Sequence, residues 1–401
     1  MSAGPGGLHA GTTGKPLALS GVRVIDLTEL LPGPYATQVL ADMGAEVIKI
    51  ERPRTGDNGR TIRPGTFEMF NRGKKSVALN LKEERGREIL LRLADQADIL
   101  IEGYRPGVVA RLGIEFAKVN ARNPRIVYAS ISGFGQTGPL RDQPGHDLNY
   151  NAVAGVVALC GSPDRPPEHV VGVPLADLSG SLYAVTSILA ALMLRARTGA
   201  GQYLDIALAD TALSLVGPRL GAYQDTKGFD RADLLRRPGN AVYETADGRY
   251  IAVGAIEDHF WRRLVAAMNL PELDQPRYEK ARERWRHADA INPVLQARFR
   301  TKTHTEWLCL LGSSDVPATL VSDLDGLFDH PHFAARGMFK AGRNIRYVNY
   351  PVSMDGVDTE RLSPAPQLGE HTDDVLRSFG WLPDEIGQLH RDGVVQSLSR
   401  P

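Results

Sequence analysis

Cysteine is scarce in this chain. There are two, Cys160 and Cys309, too few for a disulfide scaffold or a four-cysteine zinc site, and the scarcity fits a reducing compartment. Net charge is missing as well, since 47 Lys and Arg balance 47 Asp and Glu. A nucleic-acid-binding surface is therefore not expected as the main business, because such domains are usually clearly basic. Long hydrophobic runs are absent. The longest, near Ala184 to Leu194, covers about half a membrane span and reads as a buried core helix. The N-terminus, MSAGPGGLHAGTTGKPLALS, lacks the basic start and apolar run of a secretory signal. The expectation is a cytoplasmic protein with no membrane and no nucleic-acid partner. The P-loop pattern G-x-x-x-x-G-K-[ST] and the hydrolase elbow G-x-S-x-G are both missing.

What is present is ordinary for a globular enzyme: 42% apolar and 23% charged residues, which excludes disorder over most of the chain. Its 401 residues suggest two domains. From Gly21 onward, short β-branched runs alternate with helical patterns. Val22 to Ile25, Ala45 to Ile50, Ser76 to Leu81, Asp98 to Ile101 and Arg125 to Ser132 read as strands. Tyr35 to Met43 and Glu83 to Ala97 read as the helices between them. This alternation predicts an α/β fold with a large Rossmann-like domain and a parallel sheet. The predicted boundaries are a flexible tail over 1–18, the large domain over 19–222, a linker over 223–240, a small α+β domain over 241–335, and a return segment with a C-terminal helix over 336–401.

Four features bear on chemistry. Gly133-Phe134-Gly135-Gln136-Thr137-Gly138 matches G-x-G-x-x-G and follows a strand. Pro139 and Pro144 follow, so no long helix opens there to receive a pyrophosphate, and a turn beside a ligand pocket is the better reading. His146 comes directly after this loop, where α/β folds place ligands, although a lone histidine is more often structural. Asp177 opens the long apolar helix. It reads as a capping aspartate or as a nucleophile or base whose environment tunes its pKa. Arg52, Arg105 and the run Asn71-Arg72-Gly73-Lys74-Lys75 supply cations near strand ends, which suits a phosphorylated ligand as well as plain surface charge.

Taken together, the motifs resemble the class III CoA-transferase (CaiB/BaiF) family, which includes carnitine CoA-transferase, formyl-CoA transferase and α-methylacyl-CoA racemase. The pieces are Leu31-Pro32-Gly33-Pro34, Leu40 to Pro53, Gly56-Asp57, Asn71 to Ser76, Glu102 to Gly107, Gly133 to Pro139, Arg197 to Gln202 and Leu368 to Asp373. The resemblance implies a Rossmann-like domain built from both chain ends, a small middle domain, and an interlocked homodimer. It implies a coenzyme A thioester as substrate, with no metal and no permanently bound cofactor. Arg52 and Arg105 match positions that hold CoA phosphates, and Asn71 and Lys75 are further candidates from the same neighbourhood.

Two chemistries share the family. In the transferases an aspartate at the position of Asp177 attacks the thioester, and CoA passes to a carboxylic acid acceptor. In the racemases the same aspartate exchanges the α-proton with a histidine, which His146 matches, supported by a glutamate, which Glu257 matches. On His146, racemisation of a 2-methylacyl-CoA is the preferred expectation, with CoA transfer as the alternative. Leu178-Ser179-Gly180 departs from the glycines that follow the aspartate in racemases. A non-catalytic subunit of a heteromeric transferase is a third reading, opposed by the presence of Asp177. In the racemase reading, backbone N–H groups at the start of the Asp177 helix are expected to receive the thioester oxygen.

Overall fold

The computed structural model describes residues 17–162, 165–169, 172–226, 231, 236–354 and 363–398. Residues 1–16 of the expected tail, and 227–230 and 232–235 of the expected linker, lie outside these residues. The strands, in chain order, are β1 (Arg23–Leu27), β2 (Glu46–Glu51), β3 (Lys75–Leu79), β4 (Ile99–Glu102), β5 (Val127–Ser132), β6 (Gln202–Ala207), β7 (Asn240–Glu244), β8 (Tyr250–Gly254), β9 (Ala318–Leu320), β10 (Phe339–Ala341), β11 (Arg346–Val348) and β12 (Val395–Gln396). They divide between two compact units.

The first unit joins the chain up to Ala154 with Val171–Leu215 and Ala335–Pro401. Its sheet runs in the order β12-β3-β2-β1-β4-β5-β6. The six strands from β3 to β6 in this order are parallel, and β12 caps the β3 edge antiparallel. The order 3-2-1-4-5-6 is that of a doubly wound dinucleotide fold, whose strand order reverses between β1 and β4. β1, β2 and β4 carry runs such as RVIDL and ILIE that are buried almost throughout. A strand covered on both faces needs apolar side chains on both, so these runs do not alternate. Helix Glu84–Asp95 buries Ile89, Leu90 and Leu93 against the sheet. Leu376, Ile386 and Leu389, from helices Thr372–Ser378 and Pro383–Arg391, join the same core.

Helix Leu175–Thr198 packs on β5 and β6 and ends at Gly199, whose φ of +78° closes it with a left-handed residue. By length and composition it could cross a membrane. It starts at Leu175, two residues before Asp177.

The second unit takes Gly155–Val170 and Val216–Ala334. It pairs the hairpin β7–β8 with β9 antiparallel and packs Trp261, Leu264, Phe299 and Trp307 into its own core. Its first segment differs from the expected boundaries, which put 155–170 in the large domain. Helix Leu208–Thr226 likewise runs into the stretch expected as linker.

Candidate active site

The carboxyl ends of β1, β4 and β5 open onto a cleft of about 660 Å³, within the usual size of a small-molecule site. Its walls are Thr28 to Gly33 after β1, Gly103 to Pro106 after β4, and Ser132 to Phe134 after β5. This is the strand-order switch point, where the loops after neighbouring strands diverge and leave a crevice. All lining residues belong to the first unit. The glycine-rich loop forms one wall but follows β5 rather than β1. Gly133 is needed there for close approach, because a Cβ would stand 2.3 Å from the Tyr150 ring.

Asp177 and His146 both line this cleft. Asp177 is the third residue of helix Leu175–Thr198. Among the described residues its carboxyl oxygens have no hydrogen-bond or ion-pair partner. Burial, and then the charge of nearby Asp147, push it up to about 7. The Tyr150 phenol is raised to about 12 by burial and by the same Asp177. His146 is exposed and precedes helix Asp147–Val153, its backbone N–H donating to Asn149 Oδ1 at 3.0 Å.

Asp177 does not cap its helix. That is done from 30 residues away by Asp147, whose Oδ1 accepts the N–H groups of Ala176 (2.9 Å) and Asp177 (3.2 Å). Asn151 Nδ2 donates to the other oxygen of Asp147 at 2.7 Å. A carboxylate at a helix N-terminus gains from the orphan donors and the dipole. The expectation that these N–H groups would receive a substrate oxygen is therefore corrected, since Asp147 already holds two of them. Sequence reasoning missed Asp147 although it adjoins His146, because nothing local says which helix it caps.

Of the predicted cofactor-binding cations, Arg105 alone lines the cleft. It follows β4, where Glu102 Oε2 accepts the Tyr104 N–H at 2.8 Å and fixes the loop. Arg111 and Arg141, not singled out from sequence, line the cleft too. Their guanidinium groups converge on Gly107, within 3.5 and 3.8 Å of where its Cβ would be. Arg52 is absent from the lining. Its guanidinium donates to Glu29 Oε2 (3.1 Å), Asn58 Oδ1 (3.0 Å) and the Gly56 carbonyl (3.1 Å).

Asn71 and Lys75 are not brought to the cleft. Asn71 is fully buried, donating to the Phe67 carbonyl and accepting from Lys74 Nζ at 2.9 Å. Lys75 begins β3 and pairs with Glu46, which begins β2, at 2.6 Å. In a parallel sheet that is the amino edge, opposite the loops that form the cleft. Glu257 lies in the second unit, exposed, just before helix Asp258–Met268. Among the described residues no group of three or more His, Cys, Asp or Glu is placed to hold a metal ion.

Comparison with known proteins bears on the family. The model of CoA-transferase family III matches residues 19–372. The chain is 35% identical to the acetyl-CoA:oxalate CoA-transferase of Acetobacter aceti, over 92% of this chain and 97% of that protein. It is 32% identical to the α-methylacyl-CoA racemase of Homo sapiens, over 95% and 98%. The crystal structure of a CAIB/BAIF family protein from Brucella suis superposes with a TM-score of 0.82 at 30% identity, covering 90% of this chain and 99% of that one. On the extent of these matches, the chain belongs to CoA-transferase family III.

Proposed function

We propose that this chain is an acyl-CoA:carboxylate CoA-transferase with Asp177 as its nucleophile. The observation that carries the reading is the Asp177 carboxyl itself, held in the cleft with no cation or donor among the described residues to neutralise it. Such a group is a reactive acyl acceptor once ionised, because its charge is poorly compensated. Its carboxylate adds to the thioester carbonyl, the C–S bond breaks, and CoA leaves as thiolate, forming a mixed anhydride. The thiolate attacks the aspartyl carbonyl of the anhydride, releasing the donor acid and leaving an Asp177–CoA thioester. The acceptor carboxylate then attacks this thioester, and the returning thiolate takes the new acyl group, restoring Asp177. Relatives named as transferases for oxalate and glutarate support this class of acceptor.

In this reading Arg105, with Arg111 and Arg141, receives CoA phosphates, and Arg52 acts by holding the Glu29 and Asn58 loops. The substrate is the CoA thioester, with no resident metal or cofactor. The protein works in the cytoplasm as a homodimer with interlocked subunits. Support for the dimer comes from Leu182, Tyr183, Met193, Leu213 and Leu215, large apolar side chains left exposed on two helices.

One observation favours the racemase reading: His146 lines the same cleft as Asp177. The two are separated by intact-protein mass spectrometry after incubation with acetyl-CoA, and by incubation with a 2-methylacyl-CoA in D₂O. Transfer gives a covalent adduct that disappears in Asp177→Ala and persists in His146→Ala. No adduct, with α-deuterium uptake lost in His146→Ala, selects the racemase.

A further inference from the structure

The loop from Thr28 to Gly33 supplies one wall of the cleft, and within it Leu30 is unusual. Its φ is +67°, a left-handed backbone in which the Cβ of an L residue crowds the following carbonyl. Glycine is the ordinary choice for such a position. Leucine persists there only if its surroundings hold it.

What holds it lies underneath. The Leu30 N–H donates to Asp57 Oδ1 at 3.1 Å, and the same oxygen takes the Gly59 N–H at 2.7 Å. Asp57 Oδ2 pairs with Lys49 Nζ at 2.9 Å. Lys49 Nζ in turn donates to the Thr28 carbonyl at 2.7 Å. Both side chains are wholly buried. One buried ion pair therefore grips the loop on either side of Glu29, by the carbonyl before it and the N–H after it. A lysine and an aspartate are costly to bury, and their pairing is a poor source of stability compared with apolar packing. Fixing a strained loop beside a cleft gives them a role that apolar side chains could not fill.

We propose that Lys49 and Asp57 are positioning residues: the pair holds Leu30 left-handed and thereby sets the cleft wall from Thr28 to Gly33 against the acyl-CoA. The inference rests on the reading of this cleft as the acyl-CoA site. Neither residue touches substrate.

The test is a double-mutant cycle on position 30. Lys49→Met with Asp57→Ala removes the grip without leaving a lone buried charge. With Leu30 present, the paired change should lower kcat/KM for CoA exchange, assayed with acetyl-CoA and succinyl-CoA as donors, by about tenfold or more. With Leu30→Gly, the same paired change should cost less than about threefold, because glycine holds the left-handed form unaided. Equal losses in both backgrounds, or no loss in either, overturn the proposal. If the paired variant does not fold, Asp57→Ala alone replaces it in the same cycle, with the same criterion, because Lys49 still faces Asp26 and Glu51. Hydrogen exchange at the Leu30 amide gives a second readout. It should be protected in the wild type and speed up when Asp57 is lost, and unchanged exchange overturns the proposal. If the wild type turns over no acyl-CoA, the functional reading has failed. The exchange result then decides alone whether the pair grips Leu30.

Discussion

Asp177 and Asp26 are carboxylates of the same unit, the first half-buried in the cleft and the second wholly buried, and their pKa values are shifted in opposite directions. Asp26 is wholly buried at β1. Burial alone would raise it, but Lys74, Lys49 and hydrogen bonds from Thr28 and Thr37 win and hold it well below the usual carboxylate range. Its neighbour Lys74 Nζ is itself saturated, contacting Asp26, Thr37 Oγ1, Asn71 Oδ1 and the Pro34 carbonyl between 2.7 and 3.1 Å. Asp177 meets burial with a second carboxylate and, among the described residues, no cation paired to it, and rises to about 7. Burial is common to both sites. The sign of the nearest charge separates a structural carboxylate from a reactive one.

The sharpest way to test this contrast is to remove Asp177. Asp177→Asn should cut CoA transfer by at least about 10³-fold, as loss of a nucleophile does, while leaving the far-ultraviolet spectrum unchanged. It should also raise the melting temperature, by more at pH 8 than at pH 5. The sign follows from linkage. The folded pKa lies above the unfolded value near 3.9, so the folded state binds the proton more tightly. That advantage is present at low pH and lost as pH rises through about 7, leaving an unfavourable buried charge that asparagine lacks.

Asp26 should behave in reverse. Lys74→Met strips a cation from a buried aspartate and should destabilise by about 3–5 kcal/mol, read from urea midpoints. In the wild type the lowered pKa of Asp26 contributes stability above the unfolded pKa, which is lost as pH falls toward the folded value. A stable Lys74→Met variant would show that the paired charges are dispensable.

Arg105→Ala leaves both carboxylates alone and probes the cleft. Affinity for coenzyme A by calorimetry should weaken by about ten- to a hundredfold, the worth of a charge-assisted hydrogen bond, with an unchanged melting curve. Unchanged affinity would remove Arg105 from the site.

The smallest expected effect is the most specific. Asp147→Asn keeps an oxygen to cap the Asp177 helix but deletes the negative charge. The acid limb of kcat/KM, set near pH 7 by Asp177, should shift to lower pH by less than one unit, because burial is the larger cause and remains. A shift upward would invert the role given to Asp147.

Much of this was legible in sequence. β-branched runs separated by helical periodicity announce a parallel α/β sheet, since both patterns repeat within a few residues. The family motifs, Asp177 at a helix start, and His146 and Arg105 beside the cleft were read the same way. The failures share a cause. Lys75 looked like a phosphate ligand because it follows Asn-Arg-Gly-Lys, yet β3 begins there, at the sheet edge away from the cleft. Lys74 turns inward to Asp26, 48 residues away in sequence, and Asn71 accepts from the same Lys74 Nζ.

The sequence by itself determined five of the seven strands described in the large sheet, the helix that carries Asp177 and the family, because each depends on spacing within one segment or on motifs that survive as strings. Tertiary structure decided which arginines face the cleft, that Asp147 rather than Asp177 caps the long helix, and that Lys49 and Asp57 grip Leu30. Those outcomes depend on charges brought within a few ångströms by folding. Coulombic and desolvation energies follow distance in space, which spacing along the chain does not encode.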